Sequence, residues 1–359
     1  MMRILFALLF ISMQGMGQFV SKDVQYYNAD SSIRFGGTLT IPSGVQQFPA
    51  VVIVSGTGRQ DRDGTMAGHK MFKVIAEYLS SNGIAVLRVD DRGTGTTTGD
   101  YEKATTADFA ADAVTAAAFL KAYPGVKRVG LIGHSEGGAA AYMAAVKSKD
   151  IRFVISLAGL ATTGLKALQA QNRAIVTSAG IPVLKQKRFN EINDIMFDTA
   201  YAYATAPDME QHLRNAYVLW DNQDIAKGEK DSVYKKSRDH FFFPLESYLR
   251  QATGPWYRYN IRFDPVPWLK QVKVPLLAIN GDKDIMVAAD ENLGNYKAYV
   301  KNATVVKVPG LNHLFQHCVT CTMQEPSKLQ EDFAPEVLKM MSAWINGTKI
   351  DVNGVQFIK

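Results

Sequence analysis

Three kinds of sequence feature are missing from this 359-residue chain, and each absence removes a class of function. No long run of lysine or arginine occurs, so the net charge of +6 indicates a solvated surface and excludes a nucleic-acid-binding footprint. No Gly-Lys-Ser/Thr stands at a loop-to-helix junction, and Gly56-x-Gly58 lacks a third glycine, which excludes the common nucleotide-binding loops. After the first residues, no apolar segment is long enough to span a bilayer.

Cysteine occurs only twice, as Cys318 and Cys321 in a C-x-x-C pattern. In an exported protein such a pair favours a local disulfide, with two free thiols as the second interpretation. A metal site is the third, because it would need two further ligands and only His313 and His317 lie nearby. We therefore expect no metal site at this pair.

The first 17 residues differ from the rest of the chain. Arg3 gives a positive start, residues 4–13 are apolar, and Gly15 and Gly17 supply small residues for a cleavage site. This pattern predicts a secretory signal peptide and an exported protein, either periplasmic or extracellular, with no membrane span. A buried first strand is the alternative.

The mature chain alternates buried strands with helices. The predicted strands cover residues 24–27, 37–41, 49–54, 84–89, 129–132, 151–157, 274–279 and 303–308. Strands separated by helices of this length predict an α/β fold with a mostly parallel central sheet flanked by helices. The alternation stops between residues 164 and 265, where helical patches predict a cap inserted over the carboxyl end of the sheet. Residues 18–163 and 266–359 then form the core.

The most informative stretch is Gly133-x-Ser135-x-Gly137, which lies between a predicted strand and a helix that begins near Glu136. A serine on a sharp strand-to-helix turn needs small neighbours, and the two glycines meet that need. The start of the helix then directs free N–H groups and the positive end of its dipole at an oxyanion beside Ser135. Ser135 is therefore the predicted nucleophile.

A serine hydroxyl needs a base to activate it, and the base needs an orienting carboxylate. His313 lies in a loop after the last predicted strand, where the chain order Ser, acid, His places the base. His317 is the second choice. The remaining histidines are disfavoured by their positions inside the turn, at helix edges or in the cap: His134, His69, His212 and His240.

The acid is expected at the end of the preceding strand, where Asp282 and Asp284 both qualify. We favour Asp284, because Gly281 makes the turn and two more residues bring the carboxylate back toward the histidine. Asp282 is the alternative and would then be a turn-forming aspartate.

Two oxyanion donors are expected, the backbone N–H of Glu136 and one from the loop around Thr57. That loop is rich in charge, and further charges follow the next strand. We expect these groups to form a salt-bridged network that holds the loop: Arg59, Asp61, Arg62, Asp63, Asp90, Asp91 and Arg92.

With these motifs in place, the chain resembles the α/β-hydrolase superfamily, and within it exported bacterial hydrolases of the serine-aminopeptidase-like and acyl-thioesterase-like group. The matching segments are residues 55–58 with 60–63, 90–95, 133–138, 281–284 and 310–313. The resemblance implies a Ser135–His313–Asp284 triad and no cofactor. One departure is Ser55-Gly56, where many relatives carry His-Gly.

The leading functional hypothesis is a serine carboxylesterase acting on small acyl esters. An aminopeptidase or acyl transferase is the second, and a peptidase would need a carboxylate in the cap to bind the free amine of its substrate. The candidates for that role are Glu191, Asp194, Glu210 and Glu246. A thioesterase is disfavoured, because coenzyme A esters are scarce outside the cytoplasm. A binding protein that lost the chemistry is disfavoured because all three triad residues are present.

Overall fold

The computed structural model of the chain describes residues 19–238 and 244–358. The predicted signal peptide and His240 lie outside these residues. Within them, no helix is long and apolar enough to cross a membrane.

Over residues 19–238 and 244–358, nine strands form one sheet, and a two-stranded hairpin lies apart from it. The strands are β1 (Phe19–Tyr27), β2 (Arg34–Pro42), β3 (Phe48–Val54), β4 (Thr65–Met66), β5 (His69–Lys70), β6 (Ala85–Val89), β7 (Val126–His134), β8 (Ile151–Leu157), β9 (Leu276–Gly281), β10 (Ala303–Val308) and β11 (Gln356–Phe357). The order in the large sheet is β1-β2-β6-β3-β7-β8-β9-β10-β11. Neighbours from β6 to β10 in that order are parallel, whereas β1, β2 and β11 pair antiparallel at the edges.

Helices cover both faces of the sheet and also form the insertion between β8 and β9. They are α1 (Met71–Ser81), α2 (Thr106–Lys121), α3 (Glu136–Lys147), α4 (Gly164–Ser178), α5 (Val183–Tyr203), α6 (Met209–Lys230), α7 (Ser232–Arg238), α8 (Leu245–Ala252), α9 (Pro255–Ile261), α10 (Val266–Leu269), α11 (Ala289–Tyr299) and α12 (Pro335–Asn346). One apolar core joins the sheet to α2, α3 and α11, and a second joins it to α1 and α12. The predicted mostly parallel sheet with flanking helices is confirmed.

The inserted helices form a cap with an apolar core of its own, which includes Met196, Leu213, Trp220 and Tyr248. That core lies apart from the two cores of the sheet, so the cap packs as a separate layer. Its helix α9 approaches α2 and places Trp256 next to the end of β7. The cap therefore covers the edge of the sheet where the predicted catalytic residues lie.

Some elements go beyond the sequence prediction. In the insertion, where the sequence indicated only helical patches, α6 runs from Met209 to Lys230, and its polar second half includes Asp224, which is buried against Arg188 of α5. Helix α11 was not predicted, since its few large apolar residues and Gly294 give little helical signal. It forms because Leu293 and Tyr296 are buried against the sheet.

Candidate active site

Ser135 lies in the turn that joins β7 to α3, with a backbone φ of 55°. This is a strained conformation for a residue with a side chain. A β carbon on Gly133 would come within 2.1 Å of the Gly137 carbonyl oxygen, and one on Gly137 would come within 2.2 Å of the Val54 carbonyl oxygen. Glycine at both positions is therefore a steric requirement of the tight approach of α3 to β7 and β3.

Backbone hydrogen bonds hold the turn in this shape. The Ser135 N–H donates to the Leu157 carbonyl at 2.9 Å, and the Gly138 N–H donates to the Ser135 carbonyl at 3.0 Å. Among residues 19–238 and 244–358, by contrast, no group accepts the backbone N–H of Glu136 or of Thr57. These are the two predicted oxyanion donors, and both remain available to a ligand.

His313 and Asp284 are in direct contact. His313 Nδ1 lies 2.8 Å from Asp284 Oδ2, and the Asp284 side chain is fully buried. The other oxygen of Asp284 accepts the backbone N–H groups of Met286 and Val287 at 2.8 and 2.9 Å. The carboxylate is thereby fixed with one oxygen directed at Nδ1 of the imidazole. This leaves Nε2 of His313 for a different partner.

The two alternative residues have other partners. Asp282 accepts the backbone N–H of Gly310 at 2.7 Å, and so braces the loop that carries His313. His317 is 54% exposed at its side chain and lies between Glu331 and Glu336, at 2.9 and 3.1 Å. Neither lines the cavity that contains Ser135, which we call the catalytic cavity because it holds the predicted nucleophile.

Ser135 and His313 line one cavity of about 340 Å³, together with the loop residues Gly56 and Thr57. Its other walls are apolar and polar side chains from the core and the cap: Gln60, Met66, His134, Leu160, Ala167, Leu168, Gln171, Trp256, Asn260, Met286 and Val287. In the described part of the chain, no hydrogen bond links Ser135 directly to His313. The structure thus brings the predicted nucleophile, base and oxyanion loop to one cavity, with the acid behind the base.

His134, which the sequence analysis set aside, braces the base. Its Nε2 lies 3.0 Å from the His313 carbonyl oxygen, and a carbonyl can only accept, so this nitrogen carries the proton. Burial and the neighbouring His313 lower the pKa of His134 to about 3, so the ring is neutral at physiological pH. No sequence signal indicated this contact, because His313 is 179 residues away.

The Glu136 side chain is a second group that the sequence analysis missed. It is 1% exposed and accepts hydrogen bonds from the Thr57 hydroxyl at 2.7 Å, the Thr106 hydroxyl at 2.6 Å and Trp256 Nε1–H at 2.8 Å. Burial raises the pKa of this carboxyl above its ordinary value. One side chain therefore connects the oxyanion loop, the start of α2 and the cap.

The predicted salt-bridged network around the oxyanion loop is present only in part. Within the described residues, Arg62–Asp90 is the one ion pair that joins two of its predicted members. Arg59 pairs instead with Glu102, and Asp63 pairs with Lys70 and Arg88. Asp91 accepts the Ser55 hydroxyl and the Gln60 N–H, and Arg62 Nε donates to Asp90 at 3.1 Å. Arg92 does not join them, because it pairs with Asp112 of α2 at 2.7 Å. Burial raises the pKa of Asp91 to about 6.

Cys318 and Cys321 form a disulfide, so the first of the three interpretations of this pair is confirmed. Glu325 lies close enough to both sulfurs to complete a three-residue group of possible metal ligands. Bonded sulfurs are not thiolates, which is the form that binds metal ions, so the group does not suit a metal in this state.

Comparison with known proteins agrees with this geometry. The sequence profile of a family described as "alpha/beta hydrolase fold" matches residues 49–317, well over half of the chain. Esterase EstD of Thermotoga maritima is 44% identical over 105 residues, which is 28% of this chain and 24% of that protein. The match thus spans about a quarter of the length of that relative.

Two solved structures share the fold over nearly the whole chain. The Pyrococcus furiosus esterase Pf2001 superposes with a TM-score of 0.51 at 16% identity, covering 92% of this chain and 93% of its own. Hypothetical protein PA2218 from Pseudomonas aeruginosa gives a TM-score of 0.53 at 15% identity, covering 93% and 95%. At such low identity, both likenesses bear on the fold alone.

Proposed function

The chain belongs to the α/β-hydrolase family, and from that premise and the site geometry we propose that it is a serine carboxylesterase acting on esters of small acyl groups. The observation that carries the proposal is the 2.8 Å contact of Asp284 with His313, a histidine that lines the same cavity as Ser135. A hydroxyl, an imidazole and a buried carboxylate in that relation suit acyl transfer. The match to a relative named as an esterase also supports an ester substrate.

In the proposed reaction, Ser135 Oγ attacks the ester carbonyl carbon while His313 accepts the hydroxyl proton. Asp284 holds the ring and stabilises its positive charge. The backbone N–H groups of Glu136 and Thr57 bind the oxyanion of the tetrahedral intermediate. The C–O bond then breaks, His313 gives its proton to the departing alcohol, and water attacks the acyl-enzyme in the same manner.

The catalytic cavity favours small substrates. Its volume of about 340 Å³ is near the lower end of the range for small-molecule sites. Leu160, Leu168 and Trp256 give it apolar walls next to Ser135, and Trp256 is held in place by Glu136. A short acyl group fits this space without rearrangement of the cap.

The aminopeptidase alternative finds less support. The four cap carboxylates considered for binding a free amine are each paired with a basic side chain, in the ion pairs Lys227–Glu191, Arg173–Asp194, Arg214–Glu210 and Arg214–Glu246. None of these four residues lines the cavity that contains Ser135. A substrate ammonium group in the catalytic cavity would therefore meet none of these four carboxylates.

The test is hydrolysis by purified protein across two matched panels, nitrophenyl esters of rising acyl length and aminoacyl nitroanilides. We expect ester turnover that falls as the acyl chain lengthens, and little turnover of the anilides. Ser135→Ala should reduce kcat by a factor on the order of 10⁴ or more. A fluorophosphonate probe should label the wild type and not the variant.

Two outcomes would contradict the proposal. Turnover confined to the free-amine anilides would make the protein a peptidase. Ester hydrolysis that survives Ser135→Ala would show that another group is the nucleophile.

We also propose that the protein is exported, on the pattern of residues 1–17. The Cys318–Cys321 disulfide supports this, because disulfides persist chiefly in oxidising compartments. Expression of the full chain with cell fractionation checks the proposal. Recovery of the unprocessed chain from the cytoplasm would contradict it.

A further inference from the structure

A second cavity, of about 210 Å³, adjoins the catalytic cavity. His313 and Met286 line both, so these two side chains lie where the cavities meet. Most of its other walls are apolar: Ala67, Ile285, Leu314, Met323 and Pro326. Cys321 of the disulfide also lines it, and the oxyanion loop does not.

The segment that forms the outer wall is firmly held. We call residues 318–326 the disulfide loop. Glu325 accepts the backbone N–H groups of Val319 and Thr320 at 2.8 and 2.9 Å, and that of Cys321 as well. At its far end, the Pro326 carbonyl oxygen lies 2.9 Å from His69 Nε2. A loop closed by a disulfide and bonded at these points forms a defined wall for a ligand.

We propose that this second cavity binds the alcohol portion of the ester, and we call it the alcohol pocket. The inference rests on the proposed esterase function. When the acyl-enzyme forms, the proton taken from Ser135 passes from His313 to the departing oxygen, so the leaving group must lie next to the imidazole. His313 lines both cavities, and of the two only the catalytic cavity also includes the oxyanion loop and apolar residues of the cap. The carbonyl oxygen and the acyl group therefore occupy the catalytic cavity, which leaves the alcohol pocket for the departing alcohol.

The dimensions and chemistry of the pocket define the alcohol. A cavity of about 150 Å³ lined by apolar side chains is large enough for benzene. The alcohol pocket is larger and mostly apolar, and Lys283, the one charged side chain in its lining, is 53% exposed. We therefore expect esters that combine a short acyl group with an apolar alcohol of about butyl to benzyl size.

The experiment varies each half of the ester separately. One panel keeps the acetyl group and lengthens an aliphatic alcohol from ethyl to hexyl, so that the leaving oxygens have similar basicity. The other keeps the ethanol and lengthens the acyl chain. For the wild type, kcat/KM should rise at least about tenfold along the alcohol panel, since each methylene buried in the pocket adds severalfold. It should fall along the acyl panel.

Met323→Trp places a larger side chain at the pocket wall, at a residue 46% exposed, so folding is not threatened. We expect it to lower kcat/KM for hexyl acetate about tenfold more than it lowers kcat/KM for ethyl acetate. Val319→Trp is the matched control, because Val319 lies in the same loop, is 89% exposed and does not line the pocket. It should leave both panels unchanged.

Failure of this inference and failure of the proposed function are distinguishable. A wild type that hydrolyses no ester overturns both. Hydrolysis of ethyl acetate with no gain along the alcohol panel overturns the alcohol pocket alone. So does a Met323→Trp variant that keeps the wild-type alcohol profile, or one whose losses appear on the acyl panel.

Discussion

The edge of the sheet that carries Ser135 and the buried centre of the cap are held together by different forces. At the sheet edge, Ser135 owes its position to backbone packing, since a β carbon on Gly137 would meet the carbonyl oxygens of Val54 and Ser55 at 2.2 and 2.4 Å. In the cap, Arg188 and Asp224 form a bidentate ion pair with side chains 2% and 0% exposed. The Tyr234 hydroxyl also donates to Asp224.

This difference separates residues that fix the predicted nucleophile from residues that stabilise the cap. Backbone packing leaves no freedom at Ser135, which suits a nucleophile that must meet the carbonyl carbon at one distance. The Arg188–Asp224 ion pair joins two helices within the cap, and neither residue lines the catalytic cavity, so its loss acts first on the stability of the cap. Substitutions at the sheet edge should therefore abolish turnover, and substitutions at the cap centre should lower stability first.

The largest expected effect lies at the sheet edge. Asp284→Asn should lower kcat for ester hydrolysis by a factor on the order of 10⁴, because an amide can hold the ring of His313 in the wrong tautomer. Steady-state kinetics measures this loss. Asp282→Asn is the matched control, since it keeps the acceptor for Gly310 and should change kcat by no more than about twofold. Equal losses in the two variants would contradict the assignment of the acid.

The next effect tests the cap. Arg188→Met leaves the Asp224 carboxylate buried without its guanidinium partner and should lower the free energy of unfolding by about 3–5 kcal/mol. Denaturant unfolding measures the change, and protein that remains folded should still react with the serine probe. The double variant Arg188→Met/Asp224→Leu should recover most of the loss, because an apolar replacement of the whole pair is often neutral. A double variant no more stable than the single one would contradict a role for the ion pair.

A smaller effect tests backbone packing. Gly137→Ala introduces a methyl group against two carbonyl oxygens and should lower the free energy of unfolding by about 3 kcal/mol, with loss of esterase activity. Gly294→Ala gives the contrast, because this helical glycine has no atom within 4 Å of the added carbon. It should raise stability by about 0.5–1 kcal/mol. If neither alanine substitution lowers the free energy of unfolding, steric crowding at Gly137 does not maintain the turn.

The smallest effect concerns the oxyanion loop and depends on pH. Burial raises the pKa of Asp91 to about 6, so the folded protein holds this proton more tightly than the unfolded chain does. The contribution of Asp91 to stability therefore falls as pH rises between about 4 and 6, by roughly 2–3 kcal/mol, and is constant above that range. Asp91→Asn should remove this slope. Unfolding of the wild type and the variant at pH 4 and pH 7 measures it, and parallel pH curves would contradict the prediction.

Much of the sheet and the chain order of the site could be predicted from local signals. Runs of β-branched residues predict buried strands. The spacing Gly133-x-Ser135-x-Gly137 predicts a tight turn, because only small residues fit next to the serine there. The order of Ser135, Asp284 and His313 after successive strands then predicted one site, because parallel strands end at the same edge. Their assignment as a catalytic triad stays a prediction. The choice between Asp282 and Asp284 needed the structure, since both follow β9 and only one contacts His313.

The amino-acid sequence by itself determined the alternation of strands and helices and the strained serine turn, because each depends on residues close together in the chain. Only the tertiary structure decided that His134 braces His313, 179 residues away, and that Glu136 reaches Trp256, 120 residues away. The tertiary structure also decided that residues of the disulfide loop line a cavity beside His313. Such contacts arise when separate elements pack together, and no local pattern of residue types encodes which side chains will meet.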